Sequence, residues 1–159
     1  RGVFVEFSAR QALEMALGRA ALESVMAHIA ANRIADAEIA EMAGLIDEMA
    51  HATEHSALED LVTLNEAYHG MIHRISGCAY LERRLDGQRM YDHAQRIALH
   101  SEPAERHCGF EEHRDIYLAL LARDPALAEL RMRRHIVRSA KAHVRPVFGA
   151  DAEGLDYDE

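Results

Sequence analysis

The chain is divided into stretches whose apolar residues recur at helical spacing. The connectors between them are too short to let consecutive helices do anything but turn back on one another. Ser8 with Gln11 three residues later forms a capping-box pattern at the start of the first stretch. Leu13, Ala16, Leu17, Ala20 and Ala21 follow, and Leu22, Val25, Met26 and Ile29 carry the apolar stripe to about Ala31. Asp36 is expected to cap a second helix bearing Ile39, Met42, Leu45, Ile46 and Met49. Ser56 with Glu59 reads as another capping box, opening a third helix that ends at Gly77. A fourth helix is expected over roughly Tyr80 to Leu99, with Pro103 marking the break. The fifth carries Phe110, Ile116, Tyr117, Leu120 and Leu121. Asp124 followed by Pro125 is a strong restart, and the sixth helix is expected to stop near Pro146. The fold class is therefore all-α, an antiparallel bundle of about six helices. Only "RGVFVEF" at the start looks like a strand.

At 159 residues, with 49% hydrophobic, the chain suffices for one domain with a real core. It opens on Arg1 rather than Met, so it is expected to be a fragment of a longer protein. Residues 149–159 carry five acids and no base, so a net charge of −9 falls to −4 for the body. An acidic body is a poor match for a phosphate backbone, so this segment is not expected to bind DNA itself. Residues 147–159 read as a solvated, disordered acidic tail. Cys78 and Cys108 stand in no spaced motif, which fits a reducing cytoplasm better than a disulfide scaffold. No apolar run approaches the roughly 20 residues of a membrane span.

Eleven histidines are present. His28, His51, His55, His93, His100, His107 and His143 read as surface or boundary residues. His113 and His135 differ. Each lies eleven residues from Asp124, on opposite sides of the turn. In an antiparallel pair they stand at one level, roughly 16 Å from the turn at about 1.5 Å per residue. In "NEAYHGMIH", Asn65 and His69 are one helical turn apart on a shared face. His69, His113 and His135, with an amide oxygen from Asn65, can form a mid-bundle site. Such a donor set suits a divalent metal, zinc or nickel foremost, with iron or manganese as further options. Three polar core histidines hydrogen-bonded to neighbours would satisfy the same spacing. His73, one more turn along, reads as pocket lining rather than a fourth ligand.

Two enzyme readings compete. A metal-dependent hydrolase could use the three-His site with Glu111 or Glu112 as base. A di-iron bundle could draw on Glu48-x-x-His51 and Glu66-x-x-His69. The second fails on spacing. His51 sits at the turn between helices two and three, and His69 lies roughly 20 Å along the axis from it.

The same residues resemble a known pattern. "RGVFV" resembles the closing wing strand of a winged helix-turn-helix, and "RAALE" (Arg19 to Glu23) an R-x-x-L-E motif. "NEAYHGMIHRISG" is similar to a D-x-x-F-H…SGN segment. "EEHRDIYLALLARDPALAELRMRRHI" is similar to an E-H-x-x-I…A-L…D…A…M…H stretch. Together these resemble the C-terminal effector-binding (FCD) domain of FadR-type transcription regulators in the GntR superfamily, over residues 1 to about 146. The last segment is the most specific.

The resemblance implies residues 1–7 as the end of a wing, residues 8–146 as the ligand-binding domain, and a DNA-binding domain upstream. It implies a homodimer, no enzyme activity, and a metal held by His69, His113 and His135. Asn65 stands where the family has Asp, and Cys78 where it has Asn after Ser-Gly. A neutral amide is a weaker metal donor than a carboxylate. The family senses small organic acids, so a carboxylate metabolite is the implied partner, with Arg19 the best basic candidate to meet it. Arg89 and His73 are further candidates around the effector.

Overall fold

The computed structural model describes residues 8–86 and 102–149. Six helices are present among the described residues, and no strand. They are α1 (Ala9–Arg33), α2 (Asp36–Glu54), α3 (Leu58–Ser76), α4 (Ala79–Asp86), α5 (Pro103–Leu121) and α6 (Pro125–Phe148). The strand-like opening, residues 87–99 of the expected fourth helix, and residues 150–159 of the acidic tail lie outside the described residues. No helix among the described residues is long and apolar enough to cross a membrane.

Local chemistry sets most boundaries. The Ser8 hydroxyl accepts from the Gln11 amide, while the Gln11 side chain accepts from the Ser8 amide. This satisfies two donors that a helix start leaves orphaned. Asp124 accepts from the Leu127 amide, and Pro125 follows as the first helical residue of α6. Gly77 ends α3 with φ +65°, the left-handed conformation in which a Cβ is unfavourable.

Two boundaries differ from expectation. Asp36 is the first residue of α2 rather than its cap, and the Glu38 carboxylate caps the Ala35 amide instead. Ser56 is not a helix cap: it sits in the turn at φ +55°, and its hydroxyl accepts from Arg106. Arg106 also donates to the Thr53 carbonyl, so this buried guanidinium clamps the α2–α3 turn to the start of α5. α6 ends at Phe148, two residues beyond Pro146, whose ring removes the amide that would donate to the Ala142 carbonyl.

α1 runs antiparallel to α6 along almost its whole length. Ala9, Ala12 and Leu13 pack on Val144, His28 meets Glu129, and Arg123 donates to the Ile34 carbonyl beyond the end of α1. α1 also packs on α3, α2 on α3 and α5, and α5 on α6. The main core gathers Ala27, Met42, Tyr68, Ile72, Ile116, Leu120, Met132 and Ile136, drawn from five helices. Small residues on α1 (Ala20, Ala27, Ala30 and Ala31) are fully buried and let neighbouring backbones approach closely.

Candidate metal centre

The α5–α6 hairpin turns at Ala122–Asp124, so positions equidistant from it share a level. His113 and His135 do meet, with ring centroids 4.3 Å apart. α3 brings His69 against both, at 5.4 Å from His113 and 5.5 Å from His135. All three rings are buried, and each offers a ligand atom within 4.8 Å of the others.

The outer nitrogen of each ring is already engaged. Nδ1 of His113 donates to the Gly109 carbonyl at 2.7 Å, which fixes that tautomer. Nδ1 of His69 donates to Glu23 Oε2 at 2.5 Å, and Nδ1 of His135 to Glu112 Oε2 at 2.8 Å. The second nitrogen of each ring is Nε2. Nε2 of His69 and Nε2 of His113 are 3.3 Å apart. A proton on one of the two nitrogens makes this contact a hydrogen bond; a cation between them would take both lone pairs. The separation is close to the edge of a tetrahedron with metal–nitrogen bonds of about 2.0–2.1 Å. Carboxylate or carbonyl acceptors on the outer nitrogens are the arrangement that orients histidine ligands. This donor set fits a borderline divalent cation.

The electrostatics keep His135 ready to ligate. Burial holds the imidazole of His135 well below the usual histidine range; His69, Arg19 and Arg138 push the same way, against Glu23. A neutral imidazole is the form that binds metal. Burial alone would raise the carboxyl of Glu23, but Arg19 and His69 outweigh it and hold it well below the usual range. Arg19 donates to Glu23 Oε1 at 2.5 Å. Burial raises the carboxyl of Glu112, partly offset by Arg138, whose guanidinium donates to it and to Glu105.

Asn65 lies one turn before His69 on the same face of α3, buried, with no acceptor for its Nδ2. A half-turn of the amide therefore sacrifices no bond from Nδ2 and brings Oδ1 to that position. His73 is also buried. Its Nε2 comes within 3.2 Å of Glu23 Oε2 without hydrogen-bond geometry, and its Nδ1 has no partner. Glu23, His69 and His73 form a second group of converging ligand atoms. That group would need the His69 nitrogen whose proton Glu23 holds, so the three-histidine group is the better cation site. Arg89 lies outside the described residues.

Glu23 was not among the candidates read from the sequence, though it bears directly on His69. A signal was present: Ala20, Glu23, Ala27 and Ala30 share one apolar stripe, and an acid on such a stripe must find partners inside. The hydrolase reading loses its bases. Glu112 is occupied on the outer side of His135, and Glu111 pairs with Arg114 at the surface. Glu48 and His51 line an open groove between α2 and α3, away from the imidazole cluster. Of the remaining histidines, His28 is half-buried against Glu129, and His51, His55 and His107 are exposed. His143 is partly buried, and burial lowers its imidazole below the usual range. His93 and His100 lie outside the described residues.

Tyr68 braces the cluster. Its hydroxyl donates to the His113 carbonyl at 2.9 Å, and its ring meets that of His113 edge-on, 5.0 Å between centroids. The family described as the FCD domain matches residues 7–138. A comparison with curated proteins finds no match. The chain belongs to the FCD family, the C-terminal effector-binding domain of GntR/FadR-type regulators.

Proposed function

We propose that this effector-binding domain senses a small organic acid through a divalent cation held by His69, His113 and His135, with Asn65 as a neutral oxygen donor. The observation that carries the reading is the convergence of three buried imidazoles from α3, α5 and α6, each offering a ligand atom within 4.8 Å of the others. When bound, the cation would act as a Lewis acid that captures the ligand's carboxylate. Glu23, the Gly109 carbonyl and Glu112 aim the three rings. His73 and Arg19 flank the site and would meet the remainder of the ligand. Ligand binding would bias the arrangement of the helices, and through it DNA binding by a separate winged-helix domain in a cytoplasmic homodimer.

Elemental analysis of protein purified without chelator tests the metal, and a thermal-shift screen of small carboxylates tests the ligand. A ligand that binds only the native state raises the melting temperature. Zinc, nickel and manganese all leaving the melt unchanged, in protein that carries no metal as purified, would remove the metal from this reading.

A further inference from the structure

An arginine stands behind the carboxylate of two of the three rings. Arg19 donates to Glu23, which accepts from His69; Arg138 donates to Glu112, which accepts from His135. The two arrangements are held differently. Arg19 and Glu23 lie four residues apart on one helix, where the backbone itself keeps them side by side. Arg138 reaches Glu112 across the α5–α6 interface. Glu112 is also the looser acid, its side chain 23% exposed against 3% for Glu23. Both of its oxygens are engaged: Oε2 accepts from His135 and Oε1 from Nε of Arg138. Nη1 of the same guanidinium donates to Glu105 Oε2 at 2.5 Å, two turns back along α5. One guanidinium therefore grips α5 at two points, roughly 10 Å apart along the helix at about 1.5 Å per residue.

We propose that Arg138 is a positioning residue for the cation: by bridging Glu105 and Glu112 it holds the Glu112 carboxylate against Nδ1 of His135 and keeps that ring turned toward His69 and His113. This rests on the reading of the three imidazoles as ligands and adds what keeps one of them in place. The task needs a guanidinium. Lysine has a single nitrogen on a flexible stem and cannot donate through a rigid fork to two carboxylates. His113 is held by the Gly109 carbonyl of its own helix and His69 by Glu23, so loss of Arg138 loosens one ring of three. Zinc affinity is weakened, not abolished.

Zinc affinity of the metal-free protein, read by competition with a chromophoric chelator, tests this. Arg138→Gln and Arg138→Lys should each weaken zinc by about tenfold. The sign is informative, because a guanidinium near a dication repels it. If Arg138 acted by charge alone, Arg138→Gln would tighten zinc and Arg138→Lys would leave it unchanged. Glu112→Gln should weaken zinc, and adding Arg138→Gln to it should cost nothing further, since the arginine acts through that carboxylate. Glu105→Gln, which removes only the far anchor, should weaken zinc by a smaller factor and provides the test if the Arg138 variants do not fold. Tighter or unchanged zinc binding in folded Arg138→Gln would overturn the proposal and leave the metal site standing. So would additive losses in the double variant, or unchanged affinity in Glu105→Gln. Failure of the wild-type protein to bind zinc would overturn the metal reading as well.

Discussion

Glu23 Oε2 on α1 lies 2.5 Å from Nδ1 of His69 on α3, and the same carboxylate accepts from Arg19 through its other oxygen. One buried acid thus orients an imidazole and neutralises a guanidinium. Glu23→Gln keeps the shape but removes the charge. Breaking a buried pair from one side costs about 3–5 kcal/mol. The melting temperature should fall markedly, and metal affinity should drop by about 10–100-fold through loss of ring orientation. Unchanged metal affinity in a folded Glu23→Gln protein would show that His69 needs no such support.

The three clustered imidazoles and their neighbour His73 separate by substitution. His69→Ala, His113→Ala and His135→Ala should each abolish retention of metal through gel filtration, whereas His73→Ala should largely spare it. Equal loss in all four, measured by elemental analysis, would contradict the assignment.

Acid should weaken the metal-free fold in a defined window. His135 is held below its ordinary value of 6.5 by burial first, so the unfolded chain binds more protons than the native one between the native value and 6.5. Stability therefore rises with pH across that window and is lost as pH falls from about 6.5. His143 acts in the same direction. Glu23, lowered from 4.5, removes further stability below about 4.5. Chemical denaturation of metal-free protein should show declining stability from pH 7 to 5, and His135→Gln should flatten the decline.

Tyr68→Phe removes only the hydroxyl that donates to the His113 carbonyl. The loss should be about 0.5–1.5 kcal/mol, read from denaturant midpoints, with core packing retained.

Gly77→Ala should destabilise by about 1–2 kcal/mol. The residue holds φ +65°, and an added Cβ would stand 3.0 Å from the Arg33 guanidinium, which donates to the Ser76 carbonyl. Gly70→Ala, in the body of α3 with open space around its Cβ, provides the contrast and should be neutral or stabilising.

The pairing of His113 with His135 was legible because helical rise is constant and a short hairpin makes sequence distance from the turn a spatial coordinate. His69 was legible only as one of several histidines on its face, because its depth depends on how α3 docks. Glu23 was missed because the ring it orients, His69, lies on another helix. Ser56 was misread because a capping pattern reveals nothing of Arg106, which claims the hydroxyl from fifty residues away.

Because Glu23 grips the ring of His69 from α1, that imidazole cannot turn without pulling on the first helix of the domain. α1 is one unbroken rod from Ala9 to Arg33, seated lengthwise on α6. A tilt of that ring would be applied to the middle of a helix that has no loop to absorb it.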